Sequence, residues 1–493
     1  MRELLKKLEI DYLLVNSTNE YLVEYSELSE NARYTLTGFS GSTGDALITT
    51  EKIYLFVDGR YHIQAEQEAK KGVEVVKLQL NQKQDEEIKK LINPQKTLGI
   101  VAKKVSQARL ESFEGYKIKL LDKDPINNFT ELHSDVFHKV TAKPKELKLK
   151  ETTFISNLEE VSYLTGYRDF SKDGSSKIWA KLVINGDDFI LFTDNKACEN
   201  YLKIFDGKLI VDKNSINAYD YSLIKNPIHK VSEAKLLKST KTEEEIDAYR
   251  LAFEATDKAL KGIREYIEKN DNLSEYDIAA RLKEEFILNG AKSLSFKSIV
   301  AINKNSALAH YSKNSKKVKL KEGDLVLIDC GAYYESGLAT DITRVFVKGT
   351  PSDIQKKVYT TVLKAFLASY HSKLKTGFEI DELAHKILDN AIEGFVFSHG
   401  LGHGIGINVH EAPPALNKSE IAKTQISNGM CFTIEPGLYN PEYFGIRLEN
   451  SCYMKDGKIH SFVKMGYESK LIDFSLLSEQ EQEWLKEFEI LWR

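Results

Sequence analysis

The chain has 493 residues, enough for two to four domains with separate cores. A hydrophobic share of 42% excludes a disordered chain, and a net charge of −4 gives no electrostatic case for nucleic acid or an anionic membrane as partner. The N-terminal Met1-Arg2-Glu3-Leu4-Leu5-Lys6-Lys7 carries charges at helical spacing and lacks the apolar core of a signal peptide, and no stretch approaches the length of a membrane-spanning helix.

Up to about residue 133, strand-like and helix-like patterns alternate. Tyr12-Leu13-Leu14-Val15, Ala46-Leu47-Ile48-Thr49 and Ile53-Tyr54-Leu55-Phe56-Val57 read as buried strands. Arg60 to Lys71 reads as a helix with Tyr61, Gln64 and Ala65 on one side. Thr37 to Gly44 and Asp58-Gly59-Arg60-Tyr61 are turn-rich. A second segment, 134–232, opens on polar sequence around Lys143-Pro144-Lys145. Its clearest signal is a hairpin, Trp179 to Ile184 and Phe189 to Phe192 about Asn185-Gly186-Asp187-Asp188.

From about 233 the pattern changes. Thr242 with Glu245 is a capping box, and Ile246, Tyr249, Phe253, Leu260, Ile263 and Ile267 mark one face of a long helix. Ser274 starts a second helix through Ala279, Leu282 and Phe286 that Gly290 stops. Two more helices follow Asp353 and Ile380, with strands between the pairs. In the tail, Ser478 and Glu481 cap a short helix that should bury Trp484 and Leu485.

Five residues of this last portion sit where short apolar strands end or turn. Asp329 ends Leu325-Val326-Leu327-Ile328, Asp341 precedes Ile342-Thr343-Arg344-Val345-Phe346, and His403 lies in Gly400-Leu401-Gly402-His403-Gly404-Ile405-Gly406. Glu435 follows Cys431-Phe432-Thr433-Ile434 and precedes Pro436-Gly437, and Glu449 closes Gly445-Ile446-Arg447-Leu448. Four carboxylates and an imidazole are too many buried charges to leave uncompensated, so the set predicts two divalent cations and a hydrolytic site. Oxygen-rich ligation suits manganese, and zinc, cobalt and iron are compatible. Cys198, Cys330, Cys431 and Cys452 follow no ligand spacing and read as reduced, mostly buried thiols, with Cys330 pointing away from Asp329's face.

In this order the five residues resemble the pita-bread metallopeptidases, which include aminopeptidase P, prolidase, methionine aminopeptidase and creatinase. The resemblance implies an α+β and α/β multidomain chain. A C-terminal pita-bread domain (233–493, with a helical extension from about 466) would follow two smaller creatinase-N-like α/β domains (1–133 and a shortened 134–232). It implies that Asp341 and Glu449 bridge both metals, that Asp329 completes one site, and that His403 and Glu435 complete the other. Glu435 would also accept a proton from the attacking water. His310, in Ala309-His310-Tyr311-Ser312, matches the histidine that contacts substrate near the scissile bond. His399 and His410, four before and seven after His403, match the histidines of proline-specific members: His410 for the scissile carbonyl, His399 for the proline pocket. Arg447, two before Glu449, would orient a ligand carboxylate. The two aspartates are 12 apart, one more than is usual in the family, and the extra residue is placed at the hairpin tip Tyr333 to Gly337.

The N-terminal segments and the tail resemble the three-domain aminopeptidases P. The implied activity is release of the N-terminal residue before a penultimate proline, by a cytoplasmic homodimer acting on peptides and not on nucleic acid or membranes. A prolidase restricted to Xaa-Pro dipeptides is the nearest alternative. A creatinase-like hydrolase fits the retained ligands less well, and a non-catalytic protein-binding module would not need them.

Overall fold

Runs of branched and aromatic residues near the N-terminus pair as strands, because such side chains pack well on a pleated surface. A computed structural model describes residues 1–24, 27–79, 82–127, 132–142, 147 and 149–491, which divide into two units. The first gathers residues 1–135, 147–161 and 178–233, the second 136–146, 162–177 and 234–493. Lys143-Pro144-Lys145 and Trp492 lie outside the described residues.

The first unit holds two mixed sheets. In the six-stranded one the order is Val73–Lys77, Ile53–Val57, Ala46–Ile48, Tyr12–Val15, Leu98–Val101 and Ile118–Leu121. Its centre, Tyr12–Val15, runs antiparallel to Ala46–Ile48 and parallel to Leu98–Val101, with Leu13 and Leu14 fully buried. The helix predicted from Arg60 is a 3-10 turn, Gly59–Tyr61, followed by a helix, His62–Glu68, that stops short of Lys71 because Ala69 turns extended ahead of Gly72. Tyr61, Gln64 and Ala65, read from the sequence as sharing one side, are all buried. The five-stranded sheet is ordered Asp188–Phe192, Lys181–Gly186, Leu149–Ile155, Leu209–Val211 and Pro227–His229. Its hairpin closes at Asn185↔Asp188 with Gly186 at φ +62°, the left-handed geometry a tight turn asks of glycine.

The second unit is built on an antiparallel sheet in the order Ile299–Ile302, Leu325–Cys330, Ile342–Val347, Glu449–Lys455, Cys431–Ile434, Gly402–Gly404 and Glu411–Leu416, with Lys458–Ser461 beside Glu449–Lys455. Four long helices accompany it: Glu243–Lys269, Glu275–Leu288, Asp353–Tyr370 and Gly377–Leu388. All four open on reciprocal capping boxes, at Thr242, Ser274, Ser352 and Thr376, each cap contributing about 1 kcal/mol. The last begins three residues before Ile380, because Thr376 and Glu379 supply the cap. Ile246, Tyr249, Phe253, Leu260, Ile263 and Ile267 are all buried, each contributing about 1.5–3 kcal/mol by leaving water. The curved sheet with covering helices implied by the resemblance is the observed architecture.

The tail helix is Glu479–Leu485, capped by Ser478 and Glu481. Leu485 is buried, but Trp484 is only half-buried and stacks on His371, with ring centroids 4.9 Å apart. All four cysteines are free and buried. Among the described residues no helix is long and apolar enough to cross a membrane.

Candidate metal centre

Strand register puts most of the candidate ligands on one face. Asp329 pairs directly with Thr343, and Thr343 with Glu449. Directly opposed residues share a face, so these three form a row across three strands, with Asp341 two residues from Thr343 on the same side. The pairing of Leu325–Cys330 with Ile342–Val347 runs unshifted to Cys330↔Ile342, and the chain turns beyond it, with Gly337 at φ +64°. The extra residue between the aspartates is therefore taken up at the tip and flips neither side chain.

Glu435 and His403 arrive from the other side. Glu435 follows the strand Cys431–Ile434 and is fixed by its N–H on the Leu401 carbonyl, 2.8 Å. His403 lies on Gly402–Gly404, its N–H on Thr433 Oγ1 at 3.2 Å. Its Nδ1 is 3.0 Å from the Gly404 carbonyl, which can only accept. In the neutral ring the proton is therefore on Nδ1, leaving the Nε2 lone pair 3.5 Å from Asp341 Oδ2 and 3.6 Å from Glu435 Oε1. Asp341, His403 and Glu449 each offer a ligand atom within 4.8 Å of the others.

Arg447 is the cation of this cluster. Its Nη2 donates to Asp329 Oδ2 at 2.5 Å, its Nη1 to the Tyr439 hydroxyl at 2.9 Å and its Nε to Thr343 Oγ1 at 3.2 Å. Nε also lies 3.8 Å from Glu435 Oε2. Burial works against its charge, but Tyr439, Asp329 and Glu435 outweigh that and stabilise the cation. Glu449 accepts from Thr343 Oγ1 at 2.8 Å.

One guanidinium does not balance four carboxylates. Asp329 Oδ1, Asp341 Oδ1 and Glu449 Oε1 are buried and have no hydrogen-bond partner among the described residues. Burial, then the neighbouring carboxylates Glu449, Asp329 and Glu435, push Asp341 well above the ordinary range. Burial and Asp329 raise Glu449 to about 8, and burial raises Asp329 in spite of Arg447. Orphaned, mutually repelling carboxylate oxygens converging with an imidazole nitrogen are the donor set of a divalent-cation site.

This electrostatics makes a testable statement about stability. Glu449's folded value, about 8, exceeds its ordinary 4.5, so the fold favours its protonated form. Its contribution is fully present below about 4.5 and is lost as pH rises towards about 8. For protein stripped of divalent cations, the thermal midpoint is expected to fall across that window more than in an Asp341→Asn/Glu449→Gln variant, and added manganese to flatten the fall. A midpoint no more pH-sensitive than the variant's would contradict the buried charge excess.

The candidate histidines are placed differently. His410 packs edge-on to His403, ring centroids 4.4 Å apart. His399 is linked to the cluster through Tyr439, its Nε2 being 2.7 Å from the Tyr439 hydroxyl that Arg447 also contacts. His310 is half-buried in the turn after Asn303–Ala307, a segment tied by Ser306 to Gly445 on Arg447's strand. Sequence reasoning did not single out Tyr439 and Thr343. Thr343, two residues after Asp341 on an alternating strand, was recoverable from strand periodicity, whereas Tyr439 shows its role only once Gly437–Tyr439 pairs with Gly445–Arg447.

Comparison with known proteins agrees with this geometry. Residues 247–456 match metallopeptidase family M24, and residues 1–128 match the creatinase/prolidase N-terminal domain. A probable Xaa-Pro aminopeptidase P from Laccaria bicolor is 28% identical, over 99% of this chain and 88% of that one. Xaa-Pro aminopeptidase 1 from Dictyostelium discoideum is 27% identical, over 99% and 91%. The crystal structure of an X-prolyl aminopeptidase from Caenorhabditis elegans superposes with a TM-score of 0.85 at 21% identity, over 97% of this chain and 90% of that one. The chain thus carries a metallopeptidase family M24 domain over residues 247–456, preceded by a creatinase/prolidase N-terminal domain over residues 1–128.

Proposed function

We propose that the chain is a metal-dependent Xaa-Pro aminopeptidase that hydrolyses the bond between an N-terminal residue and a penultimate proline. The observation that carries this is the carboxylate cluster in which Asp341 and Glu449 each offer a ligand atom within 4.8 Å of one on His403, with buried oxygens on Asp329, Asp341 and Glu449 that lack a hydrogen-bond partner among the described residues. Relatives named for that activity, aligned over 99% of the chain, support it. Asp329, Asp341, His403, Glu435 and Glu449 would hold two divalent cations, manganese first among manganese, zinc, cobalt and iron, with Asp341 and Glu449 shared between them. When bound, such cations supply charge that polarises a carbonyl and eases loss of a proton from water.

The remaining work falls to the chain's own groups. Glu435 takes the proton from the attacking water. His410, beside His403, donates to the oxygen that becomes negative as the carbonyl is attacked. His310 contacts substrate near the scissile bond, and His399 lines the proline pocket, oriented by the Tyr439 hydroxyl. Arg447 holds Asp329 in place. We extend the reading to three domains with boundaries near 133 and 233, and to a cytoplasmic homodimer. The nematode structure's description as a cytosolic enzyme with a di-nuclear active site agrees with the location and the metal count. Light scattering tests the dimer.

The competing prolidase reading needs a cation for the dipeptide's free carboxylate. Arg344 is buried and committed to the carbonyls of Thr343, Glu449, Met465 and Gly466 and to Asn450 Oδ1. Arg447 is committed to Asp329 and Tyr439. Neither arginine is spare for a bidentate carboxylate contact. Xaa-Pro-Xaa tripeptides are therefore expected to be cleaved at least as well as Xaa-Pro dipeptides, in steady-state comparison of a dipeptide, its amide and its extended tripeptide after metal reconstitution. Activity on the dipeptide alone would install prolidase instead.

A further inference from the structure

The connection 405–410 leaves the strand Gly402–Gly404 and returns as Glu411–Leu416, the pairing jumping from His403↔Ala415 to Gly404↔Glu411. Its last residue is His410, so whatever fixes this connection fixes the backbone that carries that imidazole. Two glycines let Glu411 come close. A Cβ on Gly404 would lie 2.0 Å from the Glu411 carbonyl oxygen, and one on Gly406 would lie 2.2 Å from Glu411 Oε2.

The Glu411 carboxylate is buried and has two cations. Its Oε1 accepts from Lys241 Nζ at 2.9 Å, and its Oε2 lies 3.2 Å from Lys238 Nζ and accepts the Ile407 N–H at 3.1 Å. Both lysine side chains are only 3% exposed. A third buried lysine, Lys177, donates to Asn408 Oδ1 at 2.6 Å, and Asn408 Nδ2 donates to the His410 carbonyl at 2.8 Å. The cations stand on framework rather than on the loop. Lys238 lies in the helix Glu233–Ser239, and Lys241 is tied by its N–H to the Gly429 carbonyl at 2.8 Å.

Buried ion pairs are a poor source of stability, since apolar side chains of similar volume often serve as well or better. What a charged, hydrogen-bonded clamp adds is a fixed direction. We infer that Glu411 is a positioning residue, clamped by Lys238 and Lys241 so that the 405–411 connection presents the His410 imidazole edge-on to His403. The inference rests on the proposed role of His410 at the substrate carbonyl. Burial alone would raise the Glu411 carboxyl, but the two lysines outweigh it and draw it down to about 2, so the clamp stays charged at working pH.

A double-mutant cycle in the full-length, metal-reconstituted protein tests this. Glu411→Gln is expected to lower kcat about tenfold to a hundredfold, the loss typical of a contact behind a working group, with KM and metal content nearly unchanged. In a His410→Ala background the same change should cost less than about twofold, because both act through one imidazole. Should Glu411→Gln fold poorly, Lys241→Gln keeps the Lys238 pair and is expected to lose about tenfold in kcat, recovered by Lys241→Arg. A loss of equal size with and without His410, or full activity in folded Glu411→Gln, would overturn the positioning role while leaving the peptidase reading intact. An unchanged kcat in His410→Ala would instead sink the reading of His410 and this inference with it.

Discussion

Alanine at Asp341 or at Glu449 is expected to take peptidase activity below detection and strip the protein of metal. Both side chains lie on the face where Asp329, Thr343 and Glu449 form a row across three strands. Each has an oxygen with no other partner among the described residues. If each is shared by two cations, its loss opens both sites at once, and the deficit should exceed the about 10²–10³ that removal of one oxyanion contact costs. His403→Ala should be milder in metal content, because it is proposed to serve one cation only. Elemental analysis after reconstitution, read beside kcat, separates these cases. Full metal content with near-normal turnover in Asp341→Ala would remove that aspartate from the ligand set. Folding is not the obstacle in either variant, since the substitutions take away mutually repelling buried carboxyls that already resist ionisation.

The candidate ligands were legible because a metal site built on strand ends leaves a local trace. An apolar run closed by an acid, as at Asp329, or an alternating strand opened by one, as at Asp341, is visible in a dozen residues. Even the twelve-residue spacing was interpretable, since a hairpin absorbs length at its tip without changing the pairing behind it. What was not legible depends on partners far away in sequence. Lys238 and Lys241, in Glu233–Ser239 and just after it, look like one more solvated basic stretch, yet both are buried against Glu411, 170 residues further on in the case of Lys241. Tyr439 reads as one more aromatic residue after Glu435-Pro436-Gly437-Leu438, until its hydroxyl is found between Arg447 and His399. The capped tail helix predicts that Trp484 is buried with Leu485, but Trp484 is only half-buried, stacked on His371 at the edge of the core. Helix starts are legible to the residue where the cap is recognised in the sequence, as at Thr242 and Ser274, and helix boundaries are off by three residues where hydrophobic spacing alone is read, as at Lys71 and Ile380.

His410→Ala is expected to lower kcat by about 10²–10³ while folding normally and keeping its metal, the loss seen when one oxyanion or proton-transfer contact is removed. The structural grounds are specific. His410 lies beside the proposed ligand His403, in T-shaped contact, but is not among the atoms that converge with Asp341 and Glu449. Its backbone is held by Asn408, and the next residue by two lysines, so truncating the imidazole leaves the connection anchored. The effect should fall on kcat more than on KM, because the contact strengthens only as the carbonyl oxygen gains charge. His310→Ala should behave alike, for its turn is secured by the Ser306 contacts to Gly445 rather than by its own ring. Metal analysis guards against the alternative that either histidine is an unrecognised ligand, since loss of metal alongside activity would place it in the coordination set instead. Unchanged kinetics in both variants would return them to ordinary packing histidines. The carbonyl would then have to be polarised by the cations alone, with the clamp on Glu411 left without a catalytic purpose.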